Sequence, residues 1–245
     1  MGTRSSAFNE TVRFFQQTLD LPIGNRHHGF VRFDLADAGS VEVFDAASGE
    51  YPHFSTGPVV GFDVEDFDQA RYELERKGFS MIAPSAGEPG NYRWQHFRGP
   101  DNLVFEIVDY PGRPLPNPPV GRLQATKLVW MGISTPNFSP VAQFFQEVLG
   151  LPVEEETADL LECRLPDGSS VEAFRRGSEV DHPHFRTGPV PGIGVVDIDE
   201  AVRILRTQGT TPLESRHSPT GGWAHIRAPD GNVYELKQSA LGYQW

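Results

Sequence analysis

Four glutamates stand at matched places in this 245-residue chain: Glu42, Glu106, Glu172 and Glu235. Two of them follow a tryptophan and a histidine at the same spacing, Trp94 and His96 before Glu106, and Trp223 and His225 before Glu235. Phe44 and Phe174 stand two residues beyond Glu42 and Glu172. A carboxylate beside an imidazole can move a proton or hold a divalent cation. An indole or phenyl face stacks on planar molecules and attracts cations. His96 and His225 are therefore the candidate catalytic groups. Trp94, Trp223, Phe44, Phe174 and the four glutamates are the candidate ligand contacts.

Strands must position these residues, because alternate side chains of a strand share a face. In SVEVF (40–44), Val41 and Val43 face one way, and Ser40, Glu42 and Phe44 the other. In residues 103–108, Phe105 and Ile107 oppose Val104, Glu106 and Val108. In residues 92–98, Tyr92, Trp94, His96 and Arg98 share a face. Carboxylate, imidazole, indole and guanidinium then collect on one concave surface. Two readings fit: a self-satisfied network with Glu106 paired to Arg98 and His96 beside them, or a functional site.

The same arrangement occurs twice because the chain is written twice. MGTRSSAFNETVRFFQQTLDLP matches MGISTPNFSPVAQFFQEVLGLP, PHFSTGPVVGFDVEDFDQA matches PHFRTGPVPGIGVVDIDEA, and WQHFRGPDNLVFEI matches WAHIRAPDGNVYEL, all at an offset of about 130 residues. This predicts two domains, 1–112 and 122–245, joined by a Pro-rich linker at 113–121. Met1 aligns with Met131, so the first strand of the first domain is short. Each half reads as two β-α-β-β-β units, an α+β chain with four units in all. Ser139 with Pro140 behind it, and Asn9, are the expected N-caps of the first helix in each half. The second helices are expected from Asp66 or Asp68 to Gly78 and from Asp197 to Gly209.

A formal net charge of −12 argues against nucleic acid and anionic membrane surfaces as partners and mildly favours a cationic ligand. The single cysteine, Cys163, excludes an internal disulfide and a cysteine zinc cluster. Arg4, Glu10, Arg13 and Asp20 interrupt any secretory leader, and no apolar run approaches a membrane span. A cytoplasmic protein is expected.

The β-α-β-β-β repeat, the FFQEVLGLP segment and the GPDNLVFEI and APDGNVYEL endings resemble the vicinal oxygen chelate superfamily, which includes glyoxalase I, extradiol dioxygenases and bleomycin-resistance proteins. The resemblance covers nearly the whole chain and implies two tandem domains with curved, cup-like mixed sheets. In metal-using members it implies a His or Glu on the first strand of a unit and a Glu near the end of its last strand. The last-strand positions are Glu42, Glu106, Glu172 and Glu235, so any metal would fall to these four. The first-strand positions are Trp130, about Val190 and about Val59, none of them a metal ligand, with the fourth preceding Met1. His96 and His225 fall where extradiol dioxygenases carry a catalytic tyrosine.

The expected function is binding of a small molecule in an aromatic, acidic cup without a standard metal centre. No cofactor is assigned, and a divalent metal at Glu/His pairs, serving lyase, isomerase or ring-cleaving chemistry, is the alternative. A monomeric pseudo-dimer or a homodimer is expected. Pro52-His53-Phe54 and Pro183-His184-Phe185 read as hinges before Thr-Gly-Pro turns, although His53 and His184 could reach a cup mouth. His27, His28 and His182 have no counterpart in the other half and read as surface residues; His217 reads as part of a polar loop.

Overall fold

The computed structural model describes residues 1–112, 118–218 and 221–238, so 113–117 of the expected linker lie outside the described residues. The chain forms four β-α-β-β-β units in sequence. The first holds β1 (Gly2–Ser5), α1 (Phe8–Arg13), β2 (Ile23–His27), β3 (Phe30–Asp34) and β4 (Ser40–Asp45). The second holds β5 (Val60–Asp63), α2 (Phe67–Arg76), β6 (Ser80–Gly87), β7 (Arg93–Arg98) and β8 (Val104–Asp109). The third holds β9 (Ala125–Thr135), α3 (Phe138–Gln143), β10 (Val153–Glu156), β11 (Leu160–Arg164) and β12 (Ser170–Arg175). The fourth holds β13 (Val190–Val195), α4 (Ile198–Thr207), β14 (Glu214–Ser218), β15 (Gly221–Arg227) and β16 (Val233–Gln238).

In every unit the first strand runs parallel to the last, and the remaining pairs are antiparallel. The third and fourth units fuse into one eight-stranded sheet, β10-β11-β12-β9-β13-β16-β15-β14, through the antiparallel pairing of β9 with β13. The first and second units form separate four-stranded sheets, joined among the described residues by a single bridge, Gly2 to Val59. The cause is length: β9 has 11 residues and β1 has 4.

The helix-facing residues of each sheet build two cores, and each core draws on both halves. Val12, Phe15, Val41 and Val43 pack with Ile193, Ile198, Leu205 and Leu236, so the first unit lies against the fourth. Phe67, Phe97, Phe105 and Ile107 pack with Met131, Phe138, Phe144 and Phe145, so the second lies against the third. The faces inferred from alternation are those observed. Val41 and Val43 point to the helices, whereas Phe44 and Val104 point to the opposite, concave side.

Asp66 and Asp197 cap α2 and α4 by accepting from the backbone N–H of Gln69 and Glu200. The expected caps Asn9 and Ser139 are wrong. The N-caps are Ala7 and Asn137, and their N–H groups donate to the hydroxyls of Ser5 and Thr135 at the ends of β1 and β9. A hydroxyl on the preceding strand sets the turn, so the helix begins earlier than the cap-like residues suggest. α1 and α3 then widen into π-helical turns at Phe14–Thr18 and Phe144–Val148. His217 lies on β14 rather than in a loop.

The Thr-Gly-Pro turns meet across the middle of the molecule. Gly57 and Gly188 have φ of +102° and +103°. A β-carbon on Gly57 would collide with the Thr187 carbonyl oxygen, and one on Gly188 with that of Thr56. Gly168 also has a positive φ, +81°, with open space around it. Gly168→Ala should therefore cost only the left-handed penalty, about 1–2 kcal/mol. Gly188→Ala should cost clearly more, because two backbones must separate. Urea denaturation of both variants checks this, and equal losses would show that the loop contact contributes nothing.

Candidate functional site

The concave face of the C-terminal sheet gathers residues from β9, β12, β15, β16 and the tract before β13. Alternation along β15 aims Trp223 and His225 inward, and alternation along β16 aims Glu235 and Lys237 inward. His225 sits at the centre, 1% exposed. Its Nε2 lies 3.0 Å from Oε2 of Glu235, and its Nδ1 lies 2.8 Å from Nε2 of His184. The Trp223 ring stacks on it with centroids 4.3 Å apart, and the Trp130 ring runs nearly parallel to it at 6.4 Å. Phe174 and Phe185 close the wall, each in edge contact with its neighbours.

The N-terminal cup repeats the chain of contacts. His53 Nε2 lies 3.3 Å from Nδ1 of His96, and His96 Nε2 lies 2.9 Å from Oε2 of Glu106. Phe44, Phe54 and Tyr51 pack around them, and Trp94 lies at the rim against Tyr92. The Glu106–Arg98 pair of the self-satisfied reading does not form. Glu106 pairs with His96, and Arg98 donates to Asn102 Oδ1 at 2.9 Å.

The structure thus brings Glu172, His225, Trp223, Phe174 and Glu235 to one cup, and Glu42, Phe44, His96 and Glu106 to the other. It also adds residues that the sequence reading set aside. His53 and His184 are not merely hinge residues; each contacts the central histidine. His182 is not a free surface residue. Its ring packs against Phe174, Phe185, Trp223 and His225, and its Nδ1 lies 3.0 Å from Oε2 of Glu214. Glu214 itself went unnoticed, because it reaches the site only through the pairing of β14 with β15, which sets it opposite His225.

Burial controls the protonation of these groups. It pushes the Glu235 carboxyl up to about 7, against the pull of Lys237 and His182. It also raises Glu172, with Lys237 drawing it back. Burial lowers His225 to about 3 and His184 to about 4, and each is further opposed by a neighbouring imidazole. His53 falls to about 4 by burial and the nearby His96. Glu42 is raised by burial, with the Glu106 carboxylate adding to it. At neutral pH His225, His184 and His53 are uncharged, and Glu235 stands close to half-protonated.

The residues at the metal position implied by the fold do not fit a metal. In the C-terminal cup those positions are Trp130, Val190, Glu172 and Glu235. A β-carbon on Gly132 would collide with the six-membered ring of Trp130, so the indole lies flat over that strand. Lys237 Nζ lies 3.5 Å from Oε1 of Glu172 and 4.0 Å from Oε1 of Glu235, and 5.3 Å from the Trp130 ring centre. An ammonium group and an indole therefore occupy the space between the two carboxylates. In the N-terminal cup, Val59 packs among Phe30, Phe44 and Phe54 and offers no ligand atom.

The raised Glu235 fixes the sign of a pH effect. Its folded value exceeds the usual 4.5, so the folded state holds the extra proton between about 4.5 and 7. Its contribution to stability is fully present below that window and is lost as pH rises through it. Glu235→Gln keeps an acceptor for His225 but has no charge to bury. The variant should gain stability relative to the parent from pH 5 to pH 8, on the order of 3 kcal/mol in all. Paired thermal melts across that range test this; a flat difference would mean that Glu235 titrates normally.

No protein-family profile matches the sequence, and no curated protein matches it. Solved structures do match. The chain is similar to a Mn(II)-bound glyoxalase from Novosphingobium aromaticivorans, at 16% identity and a TM-score of 0.73, over 100% of this chain and 83% of that one. It is similar to the 2,3-dioxygenase LapB from Pseudomonas sp. KL28, at 16% identity and a TM-score of 0.68, over 99% and 92%. It is also similar to a 2,2',3-trihydroxybiphenyl 1,2-dioxygenase from Sphingomonas wittichii, at 13% identity and a TM-score of 0.66, over 98% and 88%. At such identities the shared property is architecture, and reaction does not follow from architecture. The four repeated units and the end-to-end superposition agree on one conclusion: this chain has the vicinal oxygen chelate fold.

Proposed function

We propose that this protein binds a small planar or cationic molecule at the mouths of its cups, without a metal at the fold's usual position. The observation that carries this reading is the Trp130 indole seated over Gly132, with the Lys237 ammonium between Glu172 and Glu235. A divalent ion at that point would have to displace both. What remains for a ligand is the half-buried aromatic and acidic rim: Trp223, His182 and Glu214 on one side, Trp94 and Tyr51 on the other. Indole faces beside carboxylates favour flat cations over anions. The net charge of −12 favours their approach as well. Sequestration of the bleomycin-resistance kind is one form of this function.

A second reading is favoured by one specific feature, the linked histidine–histidine–glutamate chain in each cup. Neutral imidazoles hydrogen-bonded to a carboxyl group are suited to general acid–base work on a bound molecule. In that case His225 and His96 pass protons, His184 and His53 relay them, and the chemistry is a proton-transfer isomerisation or elimination.

Tryptophan fluorescence separates the two. Titration with bleomycin and with a panel of planar aromatic cations should give saturable quenching. Trp223→Leu should weaken it at least tenfold in the C-terminal cup, and mass spectrometry should recover the ligand unchanged. Conversion of a ligand that disappears in His225→Ala would move the assignment to the enzyme. Absence of saturable quenching across the panel would end the binding reading.

A further inference from the structure

We propose that the C-terminal cup carries a binding site for one zinc-class divalent cation, built by His182, His184, Glu214 and His225 at its mouth. This site is separate from the metal position implied by the fold. That position draws on β9, β12, β13 and β16. The new one draws on the tract before β13 and on β14 and β15, and Trp130 does not enter it.

The geometry supports it in three ways. First, the four residues each offer one ligand atom, and these atoms lie within 4.8 Å of one another. Glu214 Oε2 is 3.0 Å from Nδ1 of His182 and 3.8 Å from both Nε2 of His184 and Nδ1 of His225, while those two nitrogens are 2.8 Å apart. Tetrahedral zinc with bonds of about 2.0–2.1 Å sets its ligand atoms about 3.4 Å apart, so modest side-chain adjustment closes the shell. Three imidazoles with one carboxylate suit zinc and its neighbours rather than magnesium or calcium.

Second, the residue behind the site is of the right kind. Glu235 Oε2 stands 3.0 Å from Nε2 of His225. As a carboxylate it accepts that N–H and leaves the Nδ1 lone pair facing the cluster. Histidine ligands commonly have such a carboxylate partner, which fixes the tautomer and holds the ring in place. The rim side of the cluster is open for an ion to enter, since the Glu214 side chain is 44% exposed.

Third, the duplication supplies an internal control. The N-terminal cup keeps His53, His96 and Glu106 but replaces the other two donors. Tyr51 stands where His182 does, and Ile82 faces His96 in the register in which Glu214 faces His225. Ile82 has no donor atom, and Tyr51 offers a phenol that ligates a cation only after losing its proton, so the donor set of the other cup is not repeated here. The inference therefore predicts one ion per chain, in the C-terminal cup alone.

The test uses the full chain, stripped with a chelator and titrated with Zn(II) and Co(II). The expected result is one equivalent bound, with the visible absorption of four-coordinate Co(II). His182→Ala and Glu214→Gln should each weaken zinc binding at least tenfold in competition with a chromophoric chelator. Glu235→Gln should weaken it about 10–100-fold through the His225 ring. His53→Ala should leave it unchanged. Circular dichroism of each variant shows that it is folded. Should a variant fail to fold, the stoichiometry and Co(II) spectrum of the parent protein decide. No retained metal, an octahedral Co(II) spectrum, or equal losses in His53→Ala and His182→Ala would overturn the proposal. The proposed ligand rim and this site share His182 and Glu214, but the titration uses the metal ion alone, so its failure and the failure of the binding function are read separately.

Discussion

A carboxyl group buried at the floor of the C-terminal cup governs what surrounds it. Glu235 is 3% exposed, and a charge at that depth is costly unless it is matched. The match comes from three directions. His225 takes one oxygen, Lys237 approaches the other, and the remaining cost is met by a proton, which is why the group titrates near neutrality. His225 is in turn held by His184 on its far nitrogen and by the Trp223 face. The orientation of the whole wall thus follows from one buried acid, and the aromatic residues around it exclude the water that would otherwise solvate it.

The duplicated half shows what changes when the surroundings do. In the register that sets Lys237 opposite Trp223 on the neighbouring strand, the N-terminal sheet sets Val108 opposite Trp94. Val108 thus offers no cation in the place of Lys237. Burial raises Glu42 and the Glu106 carboxylate adds to this, while the N-terminal ammonium and Arg32 draw it back. The short β1 leaves its two sheets joined by one bridge, whereas β9 spans the seam of the other sheet. The two cups share a histidine–histidine–glutamate chain but differ in sheet continuity, charge and rim chemistry. Because each helical core is shared between the halves, neither cup can loosen without disturbing the other.

Much of this was legible in the sequence, and the limits have physical causes. The repeat and the strand faces could be read because alternation has a period of two and survives duplication: Val41 and Val43 inward to the helices, Phe44 and Glu42 to the cup. The helix starts at Asp66 and Asp197 could be read because a local side chain makes the cap. Those of α1 and α3 could not, because no side chain caps them and the hydroxyl that sets the turn lies on the preceding strand. Glu214 was invisible because it depends on strand register, a non-local property. His182 reads as a surface residue because it has no matching histidine in the other copy. Yet the divergence of Tyr51 and His182 within an otherwise repeated tract was itself the available signal.

Charge balance explains why the fold's usual metal position can be filled by side chains. A divalent ion between two buried carboxylates supplies two positive charges. Lys237 supplies one, directed at both Glu172 and Glu235. One negative charge is left over, and in a dry cup it is removed by protonation rather than tolerated. Lysine plus proton thus stands in for the charge of the ion, with the Trp130 ring beside the ammonium. The exchange has a consequence for chemistry. A fixed divalent ion draws substrate oxygens to the floor, whereas a protonated acid behind a neutral histidine relay offers a movable proton at the same place. The groups at the floor are thus a proton-bearing acid and aromatic faces, and those at the rim an imidazole–carboxylate cluster.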